Sequence, residues 1–392
     1  PMMLSSGYGG GGLVDVDEPA ERFALSTLDA SDGHRALFSR AGDARDKTGC
    51  HLPRGAATDG VGNVYIACFG SDALMAFRVG EKSYREELPP DANEKLGVDA
   101  NGFVAPKVHT RGVPYLATSA LGRVQVAAGP SGVAYDPDAK QLVAFSQLDG
   151  AISIVDAGAF ATHEQATTIK LLRSSGLDDE TARGRRLFFS GGDPRIAKDG
   201  RACSSCHPEG RDDGLVWSTP DGPRQTIMLA GREKREGPFG WLGAHATLQI
   251  HMQSTMKNLE GTGLAPADQD ALAAFLRSLK GPPNPWHVLT DEEARGRDVF
   301  ASSDAQCSSC HEPKNDFTDH DTHDVRSATG ADAKKEFLVP SLAGVGGTAP
   351  YFHDGRYASL EQLIDRCDGT MGSTKQLSAT DKKSLAAYLR TL

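Results

Sequence analysis

Cys203-Ser204-Ser205-Cys206-His207 and Cys307-Ser308-Ser309-Cys310-His311 are the same pentapeptide, met twice in one chain. Two thiols at this spacing on a turn can both reach the vinyl groups of one haem, and the following histidine then lies under the iron. A single Cys-x-x-Cys is weak evidence, because zinc sites and thiol redox centres share it. Here the histidine accompanies it both times, and each copy sits at a matching place in a longer duplication. Zinc would need four ligands gathered from two separate domains. The motif therefore predicts two covalently bound c-type haems, with Cys203, Cys206, Cys307 and Cys310 as attachment thiols and His207 and His311 as proximal ligands.

Working outward, Asp178-Asp179-Glu180-Thr181-Ala182-Arg183-Gly184-Arg185-Arg186-Leu187-Phe188 precedes the first motif, and Thr290-Asp291-Glu292-Glu293-Ala294-Arg295-Gly296-Arg297-Asp298-Val299-Phe300 the second. Both read as helix openings with acidic residues in the first turn, where the helix dipole favours them, and Thr290/Glu293 has capping-box spacing. Each copy closes on a helical stripe: Leu272, Phe275, Leu276 and Leu279 in the first, Leu385, Tyr388, Leu389 and Leu392 in the second. Gly281-Pro282-Pro283-Asn284-Pro285-Trp286 reads as a stiff linker between them. The expectation is a cytochrome c-like, mainly α domain over 172–281 and a second over 288–392.

Upstream the texture is all-β. Arg54–Thr58, Asn63–Cys68 and Ala73–Phe77 read as short strands around Gly/Asp turns. The pattern recurs at Pro130–Tyr135, Gln141–Phe145 and Gly150–Val155, with a third unit conceivable around Phe23 to Phe38. Such units resemble β-propeller blades, which need four or more copies of roughly 40–45 residues to close a ring. Residues 21–165 are too few, so the segment is expected to be a partial propeller, completed by the rest of a longer propeller or by another chain. A small irregular β-domain is the plainer alternative. Residues 1–20, with a glycine tract at Gly9 to Gly12, read as a flexible tail and a mature or trimmed end.

Composition sets outer bounds. With 39% hydrophobic and 24% charged residues this is an ordinary globular chain. A net charge of -10 argues against nucleic acid and suits a redox partner with a basic docking patch. No apolar run is long enough to span a membrane. Seven cysteines are odd in number: four serve the haems, Cys50 and Cys68 flank a hairpin and could pair in an oxidising compartment, and Cys367 is left over. Because haem attachment to this motif takes place outside the bacterial cytoplasm, the protein is expected to be periplasmic or secreted.

Gly184-Arg185-Arg186-Leu187-Phe188 with its Cys-Ser-Ser-Cys-His, the second copy, and Thr348-Ala349-Pro350-Tyr351-Phe352-His353-Asp354-Gly355-Arg356 together resemble the bacterial di-haem cytochrome c peroxidases, a family that includes MauG. The resemblance covers about 172–392 and implies one peroxidatic haem and one that relays electrons. It places Trp217 near the family's tryptophan between the haems, an ordinary core tryptophan being the alternative. It matches Thr348 and Pro350 to carbonyls that hold an interdomain calcium, whose third ligand has no clear counterpart here.

The distal positions depart from the family. Where it carries Trp-Asp-Gly-Arg and a glutamate, this chain has Trp241-Leu242-Gly243-Ala244-His245 and Leu248-Gln249-Ile250-His251. Gln249 cannot move a proton; His251 can act as base, can ligate the iron, or can stand by, with His245 the weaker candidate. On the second haem Cys367 occupies the family's Met or Tyr position, and Met371 follows it. A thioether suits an electron relay because it raises the potential, so Met371 is the favoured axial ligand. The loop carrying His320, Asp321, His323 and Asp324 could bind a metal, but a solvated loop is the favoured reading.

The resemblance thus implies an oxidoreductase that reduces hydrogen peroxide or uses it to oxidise a partner, with a cytochrome, a cupredoxin or a protein substrate opposite it. Two other readings stand beside it: an electron-transfer protein with both haems six-coordinate, and a haem oxygenase of an organic substrate.

Overall fold

The computed structural model describes strands 2–5, 21–28 and 35–40 and residues 49–84, 114–162, 165–171, 176–233, 237–282 and 288–392. It divides into two compact units, Pro1–Asp178 with Arg186–Ala202, and Asp179–Arg185 with Cys203–Leu392.

The first unit is built of antiparallel sheets. Strands β1 (Met2–Ser5), β2 (Glu21–Leu28) and β3 (Arg35–Arg40) form a three-stranded sheet in that order. Met2–Ser5, expected within a flexible tail, instead pairs with β2, because its extended backbone satisfies the open edge of that strand. Residues 6–20 lie outside the described residues. Strands β4 (Pro53–Thr58), β5 (Asn63–Cys68), β6 (Ala73–Tyr84) and β7 (Pro114–Gln125) follow one another across a four-stranded meander. A second meander runs through β8 (Pro130–Asp136), β9 (Gln141–Ser146), β10 (Ala151–Asp156) and β11 (Thr167–Lys170).

Local chemistry explains the β4–β5 turn. The Asp59 carboxylate accepts from the Val61 and Asn63 amides at 2.9 and 3.0 Å. Gly60 and Gly62, at φ +78 and +104, take the left-handed conformations the turn requires. Cys50 and Cys68 form a disulfide beside this hairpin. Side chains alternate between the faces, so Tyr65, Ala67, Leu74 and Ala76 of the first meander pack on Leu142, Ala144 and Val155 of the second. Both meanders have the blade pattern read from the sequence, each with a fourth strand the sequence did not mark, and no closed ring is formed among the described residues. A short helix, α1 (Ala159–Thr162), connects β10 to β11.

The second unit holds the duplication. Helices α2 (Asp179–Phe188), α3 (Cys203–Cys206), α4 (Leu248–Asn258) and α5 (Pro266–Ser278) belong to the first copy, with the hairpin β12 (Val216–Thr219) and β13 (Gly222–Gln225). The second copy contributes α6 (Asp291–Ala301), β14 (Thr322–His323), β15 (Phe337–Leu338), α7 (Leu360–Arg366) and α8 (Ala379–Leu389). The capping box is present: Thr290 Oγ1 accepts from the Glu293 amide, and the Glu293 carboxylate accepts from the Thr290 amide at 2.8 Å. Of the linker, only Gly281 and Pro282 lie among the described residues.

Both copies use one glycine to cross two helices. A Cβ at Gly184 would lie 1.8 Å from the Ala271 carbonyl oxygen, and one at Gly296 would lie 1.9 Å from that of Ser384. Opening and closing helices therefore touch backbone to backbone in each copy. This contact brings Phe300 against Leu385 and Tyr388 in the second copy's core. Among the described residues, no helix is long and apolar enough to cross a membrane.

Candidate haem sites

Each pentapeptide folds into a single tight turn, α3 in the first copy and a 3-10 turn at Cys307–Ser309 in the second. The His207 amide donates to the Cys203 carbonyl at 3.0 Å, and the His311 amide to that of Cys307 at 3.1 Å. The turn thus places two thiols and an imidazole together, and none of the four cysteines is in a disulfide.

The two imidazoles are held alike. His207 Nδ1 donates to the Arg211 carbonyl at 3.2 Å and His311 Nδ1 to that of Phe317 at 3.0 Å. A carbonyl only accepts, so each ring carries its proton on Nδ1 and presents a bare Nε2, the tautomer an iron ligand needs. Burial pushes both histidines below the ordinary value, which keeps them neutral. These residues fit c-type haem.

The second site opens into a cavity of about 410 Å³, large enough for a prosthetic group. Cys307, Cys310 and His311 line it together with Phe300, Met371 and Cys367. Both sulfur candidates therefore face one space. Cys367 caps the C-terminus of α7, and the Met371 amide donates back to the Cys367 carbonyl at 2.9 Å, so one turn carries the two.

The same cavity reaches a polar cluster where the copies meet. Trp241, Gln225 and His353 line it there. Trp241 Nε1 donates to the Gln225 carbonyl at 2.8 Å, and the Gln225 amide donates to the His353 carbonyl at 2.7 Å. His353 stacks on Phe337 with ring centroids 3.8 Å apart. Its Nε2 is 3.4 Å from Asp332, which also accepts from Arg224 at 2.5 Å. Burial works to raise the Asp332 pKa but is outweighed by the Thr329 amide, the Arg224 guanidinium and the His353 charge, which bring it down to about 2. Burial lowers the His353 pKa against the pull of Asp354 and Asp332. The sequence reading missed Asp332 and Arg224, and it quoted His353 and Trp241 without giving them this place.

Around α4 the first copy has a different character. The Thr247 hydroxyl caps the helix by accepting from the Ile250 amide at 3.2 Å. His251, in the first turn, meets His245 with Nδ1 atoms 3.1 Å apart, so one ring donates and the other accepts. His245 is tied down by its carbonyl, which accepts from the Phe239 amide at 2.8 Å. Gly240, at φ +79, makes room, since a Cβ there would lie 3.0 Å from the His251 ring. Gln249 points elsewhere and donates to Asp270 on α5 at 3.0 Å. Trp217 lies on β12 and donates from Nε1 to Asp213 at 2.9 Å.

For calcium, the Thr348 carbonyl already accepts from the Gln225 side-chain amide at 3.3 Å, and Pro350 lines the second cavity. One Asp212 oxygen is buried without a hydrogen-bond partner. Its loop approaches the same segment, for a Cβ at Gly214 would lie 3.5 Å from the Ala349 carbonyl. In the Asp/His loop, His323 pairs with Asp319 at 2.7 Å. Cys310, of the second pentapeptide, also comes together with Asp319 and His323.

Residues 291–389 match the family model described as cytochrome c oxidase, cbb3-type, subunit III. The methylamine utilization protein MauG of Methylorubrum extorquens is 28% identical over 282 residues, which is 55% of this chain and 78% of that protein. Cytochrome c551 peroxidase of Nitrosomonas europaea is 26% identical over 294 residues, 60% of this chain and 86% of the peroxidase. The hydrazine synthase subunit gamma of Kuenenia stuttgartiensis is 24% identical over 253 residues, 49% of this chain and 72% of that subunit. With two such turns in a duplicated helical frame, and with MauG and a cytochrome c peroxidase among its relatives, the chain is similar to the di-haem cytochrome c peroxidase/MauG family over its C-terminal part.

Proposed function

We propose that this protein is a di-haem c-type oxidoreductase of the cytochrome c peroxidase type. It reduces hydrogen peroxide, or uses it to oxidise a partner, with the second haem relaying electrons to the first. The observation that carries this reading is the contrast between the sites: a sulfur-lined apolar cavity at His311, and a proton-capable histidine pair in the copy that holds His207. Bound at these turns, the haems supply the iron redox chemistry that a polypeptide lacks.

The side chains do the rest. Reducing one peroxide to two waters takes two electrons and two protons, so a group must take a proton from one oxygen and return it to the leaving one. Of the two distal candidates, Gln249 has no proton to exchange and bonds Asp270. His251 can do both, with His245 fixing its ring. Trp241, rather than Trp217, is the tryptophan we assign to the path between haems, because it lines the second cavity. Asp212, with the Thr348 and Pro350 carbonyls, is the set we propose for calcium.

A Cys50–Cys68 disulfide and the haem-attachment motif together support a periplasmic or secreted protein. The net charge of -10 supports a donor with a basic docking patch, a cytochrome or a cupredoxin, or a basic region on a protein substrate.

The test is the visible spectrum of the purified holoprotein, oxidised and half-reduced, before and after one equivalent of hydrogen peroxide. The expected result is a rapid Soret change in the half-reduced state with electrons drawn from the second haem. A low-spin spectrum unmoved by peroxide in both states would make the chain an electron carrier built on a peroxidase frame.

A further inference from the structure

The two four-stranded meanders are repeats of one unit, and comparing them position by position exposes a surface that lacks its counterpart. In the first meander Tyr65 and Ala67 on β5, Leu74 and Ala76 on β6 and Val124 on β7 lie on one face, as the strand register requires. All five are buried, and this face grips the second meander. The matching positions of the second meander are Val143 and Phe145 on β9, Ile152 and Ile154 on β10 and Ile169 on β11, which its register also places on one face.

Every one of those five is apolar, yet Val143, Phe145 and Ile169 are 40%, 44% and 50% exposed. The opposite face, with Leu142, Ala144 and Val155, is the one packed on the first meander. Scattered exposed apolar residues need no explanation, but two adjoining rows on one sheet face do. An outward strand face in a one-sided sheet is expected to be polar.

We infer that this face of β9, β10 and β11 is a docking surface for a four-stranded β-blade carried by a different polypeptide, stacked as the second meander stacks on the first. The occupant is a blade because the same five positions hold a blade within this chain. A second copy of this chain does not supply it, because the internal contact is heterologous, a forward face on a backward face. A second copy docking in that mode would have to offer the backward face of its first meander, where Ile66, Met75 and Phe77 are already 1%, 6% and 2% exposed. The partner's contacting face is therefore small and apolar, of the kind that Leu142, Ala144 and Val155 present here.

The experiment places a photo-cross-linking amino acid at position 145 of the full-length holoprotein, expressed in its native host, and maps the joined peptides by mass spectrometry. The expected adduct lies on a strand of an antiparallel β-repeat in another polypeptide. A Ile152→Asp or Ile154→Lys change in the same protein should cut its yield at least tenfold while leaving the haem spectrum and the unfolding midpoint in place. An adduct within this chain, an adduct to a second copy, a partner peptide outside any β-repeat, or a yield indifferent to the charged variants would each overturn the inference. If a charged variant misfolds, Val143→Thr and Ile169→Thr replace it, with a graded fall in yield as the expected result and an unchanged yield as the contrary one.

Discussion

The two copies agree around the pentapeptide turn and the helix crossing and differ in the other side chains each brings together. Each crosses its opening and closing helices at one glycine, and each locks its histidine through Nδ1 to a backbone carbonyl. Elsewhere the second copy lines an apolar cavity with Met371 and Cys367, whereas the first sets His251 against His245 at the start of a helix. A shared frame constrains only the turn and its histidine; the remaining residues are free to differ between copies. A relay is served by an apolar enclosure and a soft ligand, and a peroxide-handling site by a group that trades protons.

The largest effect that would break this contrast is on turnover. His251→Gly should lower the peroxide-dependent rate by roughly 10²–10⁴-fold, the usual contribution of a positioned acid–base group, as read by stopped-flow absorbance. An unchanged rate would remove His251 from the chemistry and erase the distinction between the copies. The shared half is tested by Gly184→Ala and Gly296→Ala. Each forces a methyl group into a backbone carbonyl, so each should cost about 1–3 kcal/mol or more in denaturant unfolding. Similar costs would show that the duplication preserves one helix crossing.

Much of this was legible in the sequence because it rests on short-range patterns. The repeated pentapeptide, the Thr290/Glu293 box and the strands at Asn63–Cys68 and Gln141–Ser146 each follow from spacing or alternation within a few residues. What escaped depends on contacts between distant segments. Arg224 and Asp332 are far apart in the chain and meet only when β13 packs on the second copy. The sequence pattern singles out Trp217, whereas it is Trp241 that lines the cavity. The strand β11 was missed for a different reason: Thr167–Lys170 is exposed throughout and has no buried alternation to reveal it.

The Arg224–Asp332 pair gives a pH-dependent test of how the copies are held together. The Asp332 carboxyl falls from 3.8 to about 2 on folding. A depressed pKa contributes stability that is complete above the unfolded value and is lost as pH drops through the folded one. The contribution is about 2 kcal/mol and should vanish between roughly pH 4 and pH 2. Asp332→Asn should remove it at neutral pH and flatten the unfolding free energy across that window. The slope persisting in the variant would assign acid sensitivity to another carboxylate.

The smallest expected effect concerns which sulfur serves the second haem. Cys367 is 2% exposed, and its thiol faces the Ile364 carbonyl at 3.9 Å, a contact that holds it against its own helix. Met371 sits on the following turn and lines the same cavity, with a long unbranched side chain that can extend into it. A thioether raises a haem potential and a thiolate lowers it, so the two assignments predict opposite signs. If Met371 is the ligand, Met371→Ala should lower the second midpoint potential by about a tenth of the ~0.8 V range that axial ligation spans, and should abolish the low-spin spectrum of that haem alone. Cys367→Ala should leave the potential where it was and cost only the packing of one buried side chain. A rise in potential on Cys367→Ala, with Met371→Ala silent, would instead make this relay a thiolate-ligated centre. Electrons would then leave it more readily, and the first copy's histidine pair would face a stronger donor than the present reading assigns.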